Sequence, residues 1–136
     1  MKANLKKILG LAALGMILLT NTVPTWAGRV GHYQVNIGYE ANNTFYAAGY
    51  MQTARYSADS QQYIGCRVSA YSSGARSARC AAQTNTGVFA SCSTSDPKLI
   101  ERIQKMTNSS SVRFDGNRTT AACSDISISN FSSYLK

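Results

Sequence analysis

Histidine and tryptophan each occur once in this sequence, proline twice, and only six residues are acidic. Each scarcity removes a kind of chemistry. A Ser-His-Asp arrangement would have to use His32, which the alternation of its segment puts on the polar side of a strand, and no G-x-S-x-G or comparable nucleophile motif is present. No H-x3-H, H-E-x-x-H or Asp-rich calcium loop occurs, so neither a metal nor another cofactor is expected. The acids Glu40, Asp59, Asp96, Glu101, Asp115 and Asp125 are scattered along the chain. Glu40 with Asp59 or Asp125 could make the paired carboxylates of a glycosidase, but nothing in the sequence places those groups together. The four cysteines include no C-x2-4-C pair, the spacing that structural zinc favours. The chain is therefore expected not to be an enzyme.

Long apolar runs are scarce as well, with one exception. Ile8 to Leu19 is apolar but interrupted by Gly10 and Gly15, and it is shorter than the roughly 20 residues a membrane-spanning helix needs. Lys2, Lys6 and Lys7 precede it, and Thr25-Trp26-Ala27 follows as a small-x-small cleavage site. That pattern predicts a signal peptide over residues 1–27, cleaved before Gly28, and no transmembrane anchor. Residues 28–136 then form one domain, secreted or periplasmic. Losing the signal removes three lysines and no acid, leaving eleven basic against six acidic residues, +5 rather than +8.

All four cysteines, Cys66, Cys80, Cys92 and Cys123, lie in the mature part, where an oxidising compartment favours pairing them. Three of them belong to one meander. Ile64, Cys66, Val68 and Ala70 alternate with Tyr63, Arg67 and Ser69, the period of a strand with one buried face. Ser72-Ser73-Gly74 and Asn85-Thr86-Gly87 are three-residue turns with glycine last, the position that must adopt a left-handed conformation. Those loop lengths set Cys66 opposite Cys80 and Cys80 opposite Cys92. Cys66 to Cys92 would span two strand spacings of about 4.8 Å, beyond disulfide reach. Two connectivities remain: Cys66–Cys80 with Cys92–Cys123, which is favoured, or Cys80–Cys92 with Cys66–Cys123.

The rest of the chain reads as further short strands. Tyr33 to Tyr39 alternates cleanly, Asn42-Asn43-Thr44 is a turn, and Phe45 to Thr53 is a second strand. Asp96 and Pro97 open a helix over about residues 96–107, with Leu99, Ile103 and Met106 on one face. Val112 and Phe114 make a strand, Asp115-Gly116-Asn117 a turn, and Ile126 and Ile128 a last strand, with another near Thr119 to Cys123. The expected fold is mainly β: an antiparallel sandwich or small barrel of about seven strands with one short helix and two disulfides. The run Ala54-Arg55-x-Ser57-Ala58-Asp59-Ser60, followed by Tyr63-Ile64-Gly65-Cys66, resembles a group of small secreted four-cysteine proteobacterial proteins. The pattern continues in Cys80, Ser91-Cys92, Asp96-Pro97 and the segment from Cys123. The resemblance implies secretion, two disulfides and a mostly β fold, and assigns no activity.

What the mature chain does have is eight arginines, three lysines and eight tyrosines. Tyrosine and arginine are enriched at binding hot spots. Arg67 and Arg79 alternate away from the cysteine row, Lys98, Arg102 and Lys105 fall at i, i+4, i+7 on the outer helix face, and Arg55 sits in a polar loop with Asp59. The most conservative reading of these residues is a solvated surface, with an Arg55–Asp59 pair ordering the loop. The sharper reading is a non-catalytic, disulfide-stabilised module that binds an envelope or extracellular partner through those six cations. Acidic polysaccharide, lipopolysaccharide or a protein would fit, and nucleic acid is not expected. The alternatives are a secreted inhibitor of a foreign enzyme, or a surface-fibre subunit pairing through the edge of the Tyr33–Tyr39 strand.

Overall fold

The computed structural model describes residues 33–131; the expected signal peptide and His32 lie outside them. Within that span the order is β1 (Asn36–Tyr39), β2 (Thr44–Tyr50), α1 (Met51–Arg55), β3 (Tyr63–Ala70), β4 (Arg76–Gln83), β5 (Phe89–Thr94), α2 (Pro97–Gln104), β6 (Ser111–Asn117) and β7 (Cys123–Ser129). Two antiparallel sheets form, β1-β2-β6-β7 and β3-β4-β5. Seven strands in two separate sheets make a sandwich and not a closed barrel.

The cysteine meander folds as its turns dictate. Tyr71 N–H donates to the Ala75 carbonyl at 2.9 Å, and Thr84 N–H to the Val88 carbonyl at 2.9 Å. Gly74 and Gly87 take φ of 83° and 85°, which a side chain would resist. Cys66 pairs with Cys80 and Cys80 with Cys92 in register. The disulfides are Cys66–Cys80, between neighbouring strands, and Cys92–Cys123, between the two sheets. Ile64, Ala78, Cys80, Ala82, Ala90 and Cys92 face inward against Phe45, Ala47, Val112, Phe114 and Ile126.

The sheets cross. β5 meets the ends of the other sheet's strands one after another. Tyr39 at the end of β1 donates its hydroxyl to the Phe89 carbonyl at 3.2 Å. Gly116 of β6 lies under Cys92, Cys123 of β7 is bonded to it, and Ser93 bridges to Ala122. One irregularity makes that joint. In β7, Ile126 and Ile128 face inward, so strict alternation would turn Cys123 outward. The pairing slips between Asp115 and Gly116, with Asp125 opposite the first and Cys123 opposite the second. This bulge at Ser124 brings Cys123 to the inner side.

Five expectations are corrected. Phe45 to Thr53 is not one strand: it ends at Tyr50, and Met51–Arg55 forms a second helix. Met51 N–H turns to the Ser110 carbonyl at 3.1 Å, and Met, Gln, Ala and Arg all tolerate a helical turn. The first strand begins at Asn36, although Val35 before it is buried. Asp115-Gly116-Asn117 is the end of β6; the turn follows it, with Asn117 Oδ1 accepting from Thr119 and Thr120 N–H at 2.8 and 2.9 Å. Residues 119 and 120 lie in that turn and Ala122 makes only the isolated bridge to Ser93, so no strand forms before Cys123. The predicted helix is capped by Asp96, which accepts from Lys98 N–H at 2.8 Å, but ends at Gln104 and not near residue 107. Ser110 accepts the Thr107 N–H at 2.8 Å and donates to Asn130, closing the chain into a turn there.

The edge strands are partly occupied by other parts of the chain. Gln62 Oε1 takes the Val35 N–H beside β1 at 3.1 Å, and the Arg102 guanidinium takes the Ile126 carbonyl of β7 at 3.1 Å. On β5 the Phe89 carbonyl accepts from Tyr39, and Ser93 N–H donates to Ala121 at 2.8 Å. Both helices pack along β3. A capped edge offers little template for another strand.

The two disulfides should differ in worth. They close loops of 31 and 14 residues, for which chain entropy alone gives about 3.7 and about 3 kcal/mol. Cys92→Ala with Cys123→Ala also unties the sheets. That double variant should lose more stability in denaturant titrations than Cys66→Ala with Cys80→Ala. The opposite order would mean that the crossing is held by the core without the joint.

Candidate functional site

The outward face of β3-β4-β5 is ordered in rows, because the register places outward residues side by side. Tyr63, Gln83 and Phe89 form one row; Gly65, Ala81 and Ser91 the next; Arg67, Arg79 and Ser93 the third; Ser69 and Ser77 the fourth. Four residues along a strand separate the aromatic row from the arginine row, about 13 Å at about 3.3 Å per residue. Between them lies an open depression of about 430 Å³, with Gly65 and Ala81 as its floor. Ile64 and Cys66 also line it; their side chains belong to the core, so their contribution is main chain. Tyr63 and Phe89 remain 44% and 46% exposed, so their rings are available at the rim of the depression. Tyr39, 49% exposed, continues the aromatic row past the β5 edge, with the Arg118 guanidinium 4.5 Å from its ring centre.

Arg67 and Arg79 point outward as the alternation predicts, and they stand directly opposite each other. Like charges in that position cost stability. Arg79 donates to Ser91 Oγ at 3.2 Å, and no carboxylate occupies any outward position of this sheet. All six acids are engaged elsewhere. Asp115 holds Arg113, Asp125 holds Arg102, and Glu101 holds Lys105, at 2.8, 2.8 and 3.1 Å. Asp96 caps α2, Glu40 accepts from Thr44 at 3.4 Å, and Asp59 orders its own loop.

The other cations of the sequence reading do not join this pair. Arg102 and Lys105 are exposed on α2, yet Arg102 is spent on Asp125 and the β7 edge and Lys105 on Glu101. Lys98 is exposed near the start of that helix. Arg55 ends α1, 6.0 Å from the Tyr56 ring. The expected Arg55–Asp59 pairing gives way to a different device. Asp59 Oδ1 accepts the Gln61 and Gln62 N–H groups, both at 2.8 Å, and its other oxygen holds the Gln62 side chain. Arg76 lines a separate cavity of about 400 Å³ beside Glu101.

The carboxylates that face each other are Asp115 and Asp125, cross-strand partners on the outer face of the four-stranded sheet. Each is bound by its own arginine. Glu40, Asp59 and Asp125, weighed from sequence as a glycosidase pair, sit on different elements with different partners. Gly65 is the functional candidate that alternation alone passed over, since a glycine in an apolar strand looks like a packing residue. Comparison with protein-family models, curated proteins and solved structures found no match.

The Asp59 device has a pH signature. The backbone amide of Gln62, then that of Gln61, stabilises the ionised carboxylate and lowers its pKa to about 2. An unfolded aspartate titrates near 3.9. A depressed folded pKa gives stability that is complete above the unfolded value and lost as pH falls toward 2. Asp59→Asn should therefore destabilise the protein by a constant amount above about pH 5. The difference from the parent should shrink below pH 4 and vanish near 2. A pH-independent difference in denaturation experiments would assign the loss to shape and not to charge.

Proposed function

We propose that this protein is a non-catalytic, secreted module that binds an anionic partner at the cell envelope or outside it, through the outward face of β3-β4-β5. The observation that carries the reading is the Arg67–Arg79 pair. Two guanidiniums face each other on a sheet with no outward acid, while each side-chain carboxylate among the described residues has a partner elsewhere. An anion bound between them would turn a repulsive pair into a charge-assisted one. The two disulfides support an oxidising compartment. Among the described residues no helix is long and apolar enough to cross a membrane. The covered strand edges favour a binding module over a fibre subunit, because edge pairing is what a fibre would need.

A polyanion such as dextran sulfate tests the reading. Arg67→Ser with Arg79→Ser should weaken binding about tenfold for each arginine, on about 1.5 kcal/mol per charge-assisted hydrogen bond. The salt dependence should flatten by about one in log–log slope per arginine removed. Stability should change by no more than about 0.5 kcal/mol per site, in the favourable direction if repulsion dominates. Lys98→Ser with Lys105→Ser removes the same charge from α2 and serves as the control. If the two double variants weaken binding equally, net charge and not this face is responsible.

A further inference from the structure

Gly65 stands in the middle of an eight-residue strand, where glycine forfeits both packing and backbone entropy. The fold gives no reason for it. Its φ lies outside the left-handed range, and a Cβ would meet only the end of the Met51 side chain, at 3.9 Å. The other strand glycines are explained by contact: Tyr46 covers Gly38, Val35 lies 3.1 Å from a Cβ at Gly49, and Phe45 and Cys92 crowd Gly116 at 2.9 and 3.0 Å. What the missing side chain at Gly65 does is keep the depression open. Ala81 beside it, the next smallest residue, does the same. The floor is thus main chain and one methyl group, with aromatic rings at one end and guanidiniums at the other.

Resting on the binding reading above, we infer that the face takes an anionic saccharide, with a sugar ring over Gly65 and Ala81 and its acid group on Arg67 and Arg79. A pyranose has a flat C–H-rich side that stacks on Tyr63 or Phe89 and a rim of hydroxyls that suits Gln83 and Ser91. Its carboxylate or phosphate matches the planar fork of arginine. Other polyanions fit less well. A peptide strand would add at a sheet edge through its main chain, whereas Arg67 and Arg79 stand on a face. Acyl chains need an enclosed apolar cavity, whereas this depression lies open with arginines at its rim. A nucleic acid would need a longer track of cations than two arginines provide.

Calorimetric titration of the folded protein with defined probes tests this. A short oligogalacturonate supplies ring carboxylates, and the phosphorylated core oligosaccharide released from lipopolysaccharide supplies sugar phosphates. Whichever is the natural chemistry should bind at least about tenfold more tightly than tripolyphosphate, which has the charge without the ring, or neutral dextran, which has the ring without the charge. Gly65→Val should retain the fold, as should Tyr63→Ser with Phe89→Ser at exposed positions. Each should lower saccharide affinity about tenfold or more while leaving tripolyphosphate binding within about twofold. If tripolyphosphate or anionic phospholipid vesicles bind as tightly as either saccharide, the ligand is an anion or a membrane and the saccharide inference falls, though the arginine face stands. It also falls if neither saccharide binds. If Arg67→Ser with Arg79→Ser leaves saccharide binding unchanged, the binding reading itself falls.

Discussion

The two sheets bury their inner faces in one core, and this molecule also ties them together covalently. The bond between Cys92 and Cys123 sits where β5 passes over the end of the four-stranded sheet. Everything at the joint is shaped for that bond. The slipped pairing at Ser124 turns Cys123 inward, Gly116 leaves room for Cys92, and the following turn offers the Ala121 carbonyl to Ser93. Without an inward Cys123 the buried faces could still stack, but nothing would choose the crossing angle among those that hydrophobic packing tolerates. Alternation decides which surface of the small sheet is left outside, and the joint fixes where on the molecule that surface sits.

Charge follows a division of labour. Arg102 and Arg113 are paired with carboxylates, Arg118 rests on Tyr39, and Arg102 also covers a strand edge. These guanidiniums belong to the architecture. Arg67 and Arg79 oppose each other and gain from the fold only the hydrogen bond to Ser91. A net charge of +8 over the whole sequence is therefore a poor guide to where an anion would settle. The distribution of partners is a better one.

Local signals were the ones legible in the sequence. Loop length and the two turn glycines determine the register of β3, β4 and β5, and with it the outward direction of Arg67 and Arg79 and the contact of Cys66 with Cys80. Asp96-Pro97 marks the start of α2 because capping is a matter of adjacent residues. Signals that depend on distant chain were not legible. β2 pairs with β6 across more than half the described chain, and no turn encodes that choice. The bulge at Ser124 leaves no mark in alternation, since Ile126 and Ile128 look regular until Cys123 has to find Cys92. Met51–Arg55 is too short for a periodic pattern to show, being little more than a turn. The grouping of six cations failed for the same reason: spacing shows which residues share a face of one element, and not what another element brings against them.

The loop between α1 and β3 reaches further than its length suggests. Asp59 holds Gln62, and Gln62 in turn closes the main chain at Val35, beside an exposed strand. A single carboxylate thus stands guard, one residue removed, over a place where two copies of the protein could begin to zip together. Because its own amide partners keep it ionised down to about pH 2, that guard does not stand down in ordinary acid. Nor does it rest on a salt bridge that brine would screen. The cap on the main chain at Val35 therefore persists across most of the range of pH and salt.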